Sequence, residues 1–420
     1  MTALLITLAV ILLALLGSPV FSLIGAGAVF AFWTADIDSS AVIVEMMRLA
    51  SLPALIAIPL FTFAGYILAE SKAPRRMLNL ANALFGWMPG GIAIVALLTC
   101  AVFTAFTGAS GVTIIALGGL LYPMLRKQGY PEKFTLGLMT TTGSLGLLFP
   151  PSLPIILYGL IAKVSIDKLF AAAAVPGILL IVILSAYALL TGRKCGVGKM
   201  PFSVAAVISS AREAAWEIPL PFIIIGGIYG GWFTASEAAS VMAFYVLIAE
   251  VFIYRDLDLF RDIPGVAVKS MMLVGAIFMV LGAALGLTNY LIDAEIPGRL
   301  FAWLHSFIDS KIVFLMVLNV FLLIVNMVEI FSAIIIVVPI IAPVAAQYGV
   351  DPVHLGVIFL LNLEIGYMTP PLGLNLFLSS RRFDAKLTGL YAATFPFWLM
   401  LLGALALVTY APGLSLWLVK

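Results

Sequence analysis

Charge is scarce in this chain. Lys, Arg, Asp and Glu make up 10% of its 420 residues, and the formal net charge is +2. So weak a field excludes a nucleic-acid binder or a polybasic tail. Two histidines, His305 and His354, are too few for a histidine-rich metal site. The two cysteines, Cys100 and Cys195, stand too far apart for a cysteine metal cluster, and a disulfide framework needs more of them. No Gly-x-x-x-x-Gly-Lys-Ser/Thr loop occurs, so ATP does not drive this chain directly. A His-Glu-x-x-His metal site and a Gly-x-Ser-x-Gly turn are also missing. An intramembrane enzyme using Ser110 or Glu329 would need a general base near that residue, and neither histidine is close in sequence. The chain reads as a non-enzyme.

What is abundant is apolar surface. Hydrophobic residues make up 63% of the chain, and the mean hydropathy is +1.19. A soluble fold cannot bury that much, so the expected class is an all-α polytopic membrane protein in contact with lipid. The amino terminus is apolar from Leu4 but has no basic flank or small-residue cleavage site, and reads as a retained membrane segment.

Apolar stretches recur to the carboxyl end. Two short spans, 3–16 and 19–33, are broken at Gly17-Ser18-Pro19; others run at 53–69, 170–191, 218–233, 234–253, 269–289 and 388–409. Four further stretches, 90–125, 134–162, 312–346 and 354–380, are long yet interrupted near the middle by Gly, Pro, Ser or Thr. Basic residues retained in loops mark the cytoplasmic side. The loops with Lys72, Arg75 and Arg76, with Arg126, Lys127 and Lys133, with Arg193, Lys194 and Lys199, and with Arg381, Arg382 and Lys386 read as cytoplasmic. Segment 33–47, with Asp36, Asp38 and Glu45, and loop 347–353, with Asp351, read as external; Lys163 and Lys168 dissent mildly.

On these signs 90–125 enters from the cytoplasm and turns back at Gly108-Ala109-Ser110-Gly111. Residues 312–346 enter from outside and turn near Glu329-Ile330-Phe331-Ser332. The expected architecture has about ten crossings plus two re-entrant hairpins, with both termini periplasmic. The chain then divides into a first hairpin and broken helix (90–162), connecting helices (163–311), a second hairpin and broken helix (312–380) and a final span (381–420), within one membrane domain. Pairs of ordinary short spans would leave the same charge pattern.

A shift of 220 places Pro123 on Pro343, Gly129 on Gly349, Gly146 on Gly366, and Pro150-Pro151 on Pro370-Pro371. An odd number of crossings between the copies, about five on this count, inverts the second. Inverted repeats with paired broken helices point to a secondary transporter with its site at the midplane. Each Pro-Pro opens its helix, and carbonyls freed inside a bilayer need water, protein or a cation. Each break reads either as a packing notch, since Gly and Ser are common where membrane helices touch, or as part of a sodium cage of neutral oxygens, of which two are available. One joins Thr107, Gly108 and Ser110 to Gly143, Ser144 and Gly146; the other joins Asn326, Glu329 and Ser332 to Gly366, Thr369 and Gly373. The hairpins and broken helices carry no Lys or Arg, so an anionic substrate would rest on helix amino-termini and the bound cations. Ser152 and Asn375 are the donors expected there, with Ser110, Pro151 and Pro371 beside them at the tip and the breaks.

Three glutamates stand alone in uncharged spans. Glu237 follows Thr234 by three residues, the spacing of a helix capping box. Glu329 falls at the second tip, placing it at or beside a cation, as a helix cap or as a proton carrier. Glu364 reads equally as support for Thr369 or as packing, and both histidines read as interfacial.

These stretches resemble a known family. Gly-Ala-Ser-Gly at 108–111, Gly129-Tyr130, residues 146–152 (GLLFPPS), 226–239 (GGIYGGWFTASEAA) and 369–377 (TPPLGLNLF) are together similar to the large membrane subunit of tripartite ATP-independent periplasmic (TRAP) transporters, over nearly the whole chain. The resemblance implies a sodium-driven importer of small carboxylates in the bacterial inner membrane, moving as an elevator. It implies two partners: a small four-helix membrane subunit, expected as a separate polypeptide, and a soluble periplasmic binding protein. It also places sodium at the tips and breaks named above. One departure is Gly111, where relatives often carry a second serine. A stand-alone sodium–anion symporter of similar hairpin architecture is the alternative.

Overall fold

The computed structural model describes residues 12–13, 16–49, 52–88, 90–197, 201–325 and 330–419. Most of the segment expected at 3–16 lies outside them. The described chain begins with α1 (Val20–Thr34), α2 (Ser40–Leu49) and α3 (Ala57–Glu70). The short α4 (Ala73–Phe85), with Pro74 in its first turn, leads to α5 (Gly91–Thr107). Gly108 adopts the left-handed conformation (φ 64°) and ends α5, and α6 (Ser110–Lys127) packs back against it. Next come α7 (Glu132–Thr142), a 3-10 turn (Leu145–Leu148) and α8 (Leu153–Ala162), the two arms bent by 44°. Ser165 caps α9 (Ile166–Lys194) by accepting the Lys168 N–H.

After α10 (Val204–Glu213) and α11 (Pro219–Tyr229) comes α12 (Ala235–Leu247), continued by a π-helix (Ile248–Ile253). Its start is a capping box. The Thr234 N–H donates to Glu237 Oε2 at 2.8 Å, and the Glu237 N–H donates to Thr234 Oγ1 at 3.3 Å. Glu237 is thus a cap, as its spacing suggested. The long α13 (Ile263–Asp293) and α14 (Ile296–His305) precede α15 (Lys311–Val325) and α16 (Ile330–Gln347). Asp351 caps α17 (Pro352–Gly366), which breaks before α18 (Leu374–Phe383); α19 (Leu387–Tyr410) and α20 (Gly413–Leu416) finish the fold. No strand occurs among the described residues, as expected for a chain whose backbone must satisfy itself in lipid.

Among the described residues five helices are long and apolar enough to cross a bilayer: α9, α12 with its π extension, α13, α16 and α19; the bent α7–α8 pair makes up to six. The six other apolar helices, α1, α3, α5, α11, α15 and α17, have 10–17 residues. At about 1.5 Å per residue they fall short of a hydrocarbon core of roughly 30 Å. Two of them, α5 and α15, are the first arms of the expected hairpins.

Packing sorts the helices into two groups. Around α13 gather α1, α2 and α3, with α12 against α3 and α11 against α12. The second group joins α5, α6, α7, α8 and α9 to α15, α16, α17, α18 and α19. The groups meet where α3 touches α5, α6 and α8, and where α13 touches α16. Within the second group, related contacts close both blocks. Tyr130 Oη donates to the Gly90 carbonyl at 3.1 Å, and Tyr348 Oη donates to the Ile308 carbonyl at 2.8 Å, each reaching back 40 residues. Gly129 (φ 96°) and Gly349 (φ 71°) make the preceding left-handed turns.

The links between the groups share one ionic junction. Arg76 on α4 pairs with Glu217, just before α11, with Glu250 in the π-helix (2.8 Å) and with Asp256 in the following loop (2.5 Å). Its guanidinium also lies 3.8 Å from the Tyr254 ring centroid, and Tyr254 Oη donates to the Glu213 carbonyl at 2.7 Å. Burial would raise the Asp256 carboxyl, but hydrogen bonds from Arg76 and the Lys72 N–H hold it below the usual carboxylate range. Since α4 joins α3 to α5, and α10 joins α9 to α11, the junction ties both links to the α12–α13 side.

His354 is buried against other helices, with Nδ1 2.6 Å from Ser415 Oγ and Nε2 3.2 Å from the Thr409 carbonyl. Those polar groups come from α19 and α20, more than fifty residues away, so local hydropathy gave no sign of them. His305 is half exposed and lies 3.7 Å from Asp309.

Candidate functional site

The first tip is built by two helix ends. Thr107 closes α5, and the Gly108 N–H returns to the Thr104 carbonyl at 2.8 Å. A Cβ on Gly108 would stand 2.5 Å from the Leu153 side chain, so the tip sits on the first residue of α8. Below it runs the first break. A Cβ on Gly143 would meet Ile114 at 2.6 Å and the Ser110 carbonyl at 3.4 Å; one on Gly146 would meet the Ala105 nitrogen at 2.5 Å. Glycine at 143 and 146 therefore lets the opened helix press on both arms of the hairpin. Thr104 Oγ1 donates to the Gly143 carbonyl at 3.0 Å, so the proton in its 2.6 Å contact with Thr113 Oγ1 comes from Thr113. Thr107, Gly108, Ser110, Gly143, Ser144 and Gly146 thus lie around one junction.

The second break adjoins it. Asn375, in the first turn of α18, sends its Nδ2 to the Thr140 carbonyl (3.1 Å) and to Ser144 Oγ (3.3 Å). Thr140 Oγ1 lies 2.9 Å from Ser379 Oγ, and Thr141 Oγ1 approaches Met368 Sδ at 3.9 Å. The Asn375 N–H donates to the Tyr367 carbonyl at 3.0 Å, closing the turn through Pro370 and Pro371. Gly373 is required there, because a Cβ would meet the Thr369 nitrogen at 2.9 Å. Both Pro-Pro bonds, Pro150-Pro151 and Pro370-Pro371, are cis.

Of the second expected cage, Asn326 and Glu329 lie outside the described residues. Ser332 stands in the first turn of α16, and Gly366 ends α17. Thr369 Oγ1 donates to the Ile365 carbonyl at 2.8 Å and accepts Trp398 Nε1 at 3.0 Å, which fixes the hydroxyl and leaves it one lone pair. Trp398, Thr140 and Ser379 were missed in the sequence reading. The run Thr140-Thr141-Thr142, hydroxyls in an otherwise apolar helix, was the available signal.

Several buried polar atoms at the junction have no partner. Thr107 Oγ1, Ser152 Oγ and Asn375 Oδ1 are fully buried and make no hydrogen bond in the structure. Leaving such an atom unpaired costs roughly 1–3 kcal/mol. All three are neutral oxygens, the donor chemistry a hard monovalent cation accepts. Glu364, also fully buried, has both carboxylate oxygens without a hydrogen bond. Of these residues, Thr107 belongs to the first expected cage, while Ser152 and Asn375 are the donors expected for the anionic substrate.

Comparison with known proteins identifies the lineage. Residues 5–414 match the model of the "Tripartite ATP-independent periplasmic transporter, DctM component". The chain is 38% identical over 364 residues to the C4-dicarboxylate TRAP transporter large permease protein DctM of Pseudomonas aeruginosa, covering 86% of this chain and 85% of that one. It is 34% identical over 418 residues to the ectoine/5-hydroxyectoine TRAP transporter large permease protein UehC of Ruegeria pomeroyi, covering 98% and 97%. In fold it is similar to the Alcanivorax borkumensis YdaH transporter, with TM-score 0.62 over 89% of this chain and 87% of that one at 14% identity. These sequence relatives are transporter permeases, not enzymes. The chain belongs to the DctM-component family, the large permease subunits of tripartite ATP-independent periplasmic transporters.

Proposed function

We propose that this chain is the large subunit of a sodium-coupled importer of small carboxylates in a bacterial inner membrane. It works with a small four-helix membrane subunit and a soluble periplasmic binding protein, each a separate chain. The observation that carries the reading is the set of orphaned oxygens, Thr107 Oγ1, Ser152 Oγ and Asn375 Oδ1, at the meeting of a hairpin tip with two broken helices. Sodium entering with the cargo satisfies those oxygens and supplies the positive charge that no Lys or Arg provides between 134 and 162. The carboxylate then meets the cation and the first-turn N–H groups of α18 and α8. The relatives named for C4-dicarboxylates support the carboxylate class.

The movement proposed is an elevator, with about ten crossings and two re-entrant hairpins arranged as an inverted repeat. The hairpin group slides against α3 and α13, and the links at α4 and α10 absorb the displacement. Arg126 and Lys127 at the base of the first hairpin set its cytoplasmic side. No nucleotide is hydrolysed.

The test is thermal unfolding of the purified protein in detergent across a sodium titration, with potassium and choline at matched ionic strength. At ten times its dissociation constant a bound ion adds about 1.4 kcal/mol per independent site. A rise specific to sodium is expected. The same melting curve in all three salts would remove sodium from the account.

A further inference from the structure

The two helix groups touch along few lines, and at one of them backbone meets backbone. Gly65 on α3 lies against the end of α5. A Cβ built on it would stand 2.6 Å from Thr107 Cα and 3.0 Å from the Phe106 carbonyl carbon, and would strike the Phe106 oxygen. Other described glycines of the α13 group behave differently. Gly25 would meet Ala283 Cβ at an ordinary 3.7 Å, Gly282 and Gly286 face Met46 and Val42 within the same group, and Gly275 has open space. Gly65 alone among them would press on the main chain of the hairpin group. A side chain relieves crowding by changing rotamer, but two helix backbones do not.

The place matters as much as the closeness. Thr107 is the tip residue whose buried hydroxyl lacks a partner. Gly65 therefore brings α3 directly onto the wall of the candidate ion site. Phe61, Ala64 and Leu68 around it are fully or almost fully buried, so the contact is dry.

We propose that Gly65 is a positioning residue for transport: its missing side chain lets α3 seal the tip of the first hairpin and lets that tip slide past. This rests on the sliding movement proposed above. Small residues allow close approach of membrane helices, and here the approach lies on the line of motion rather than inside a rigid body. Gly65 contributes no ligand atom, so ion binding on the hairpin group does not depend on it.

The test uses proteoliposomes holding the full transporter, with Gly65→Ala, Gly65→Val and a control, Gly25→Ala. Uptake is read as maximal rate and half-saturating substrate concentration, and the sodium-dependent melting shift is read on the same preparations. Gly65→Ala should lose about tenfold or more in maximal rate, equivalent to roughly 1.4 kcal/mol on the moving step. Gly65→Val should not transport, half-saturation in Gly65→Ala should stay near the wild-type value, and Gly25→Ala should behave as wild type. The sodium shift should survive in both Gly65 variants. Wild-type rates in Gly65→Ala overturn the proposal. So does a Gly65→Ala protein that fails to fold, or that loses rate and sodium shift together, because Gly65 is then ordinary packing. A wild-type transporter without sodium-dependent uptake defeats the sliding reading itself, and this inference with it.

Discussion

Arg76→Ala is expected to lower stability by about 3–5 kcal/mol, the cost typical of removing one partner from a buried ionic network. Three carboxylates converge on this guanidinium, and Glu217, Glu250 and Asp256 are all at most 5% exposed. Without Arg76 they face one another, with only Lys72 near Asp256. The stacking against Tyr254 is lost as well. Arg76→Lys should recover part of the loss, since an ammonium keeps the charge but cannot spread donors over three carboxylates. Thermal unfolding in detergent checks both variants. An unchanged melting temperature in Arg76→Ala would show that the links at α4 and α10 are held by packing alone.

Thr107→Val should give opposite effects with and without sodium. In potassium or choline the substitution removes a buried hydroxyl that has no partner and replaces it with a methyl of similar shape, so stability should be unchanged or slightly higher. In sodium the same change removes an oxygen from the candidate cage. A contact to a charged group is worth about 1.5–3 kcal/mol, so the apparent sodium affinity should fall by roughly 10- to 150-fold. Ser152→Ala should follow the same pattern. If Thr107→Val keeps wild-type sodium affinity, Thr107 is not a ligand and its hydroxyl meets something else.

The breaks were legible because proline and glycine report backbone geometry directly. Pro150-Pro151, Pro370-Pro371, Gly108, Gly143 and Gly373 each stand where the structure ends a helix or brings two segments of the chain close. Thr234 and Glu237 announced their capping box by spacing alone. Pairings across the fold left no such trace. Arg76 meets residues 141, 174 and 180 positions away, and Thr140 meets Ser379 across 239.

Hydropathy located spans but did not separate the faces of a helix, because in a bilayer the outside of a helix is as apolar as its inside. Phe222 and Phe244 are 72% and 67% exposed, while Thr104 and Thr113 are buried. A soluble chain of this length would have sorted those residues the other way. The same loss of contrast hid His354, whose partners come from α19 and α20.

Uptake under an imposed ion gradient tests the central claim most directly. Proteoliposomes carrying the large and small membrane subunits are supplied with the binding protein and a panel of labelled C4-dicarboxylates, sugar acids and ectoine. An inward sodium gradient is compared with an equal potassium gradient, without ATP. Accumulation of a carboxylate that requires both sodium and the binding protein is predicted. Accumulation that proceeds equally in potassium, or without the binding protein, would contradict it.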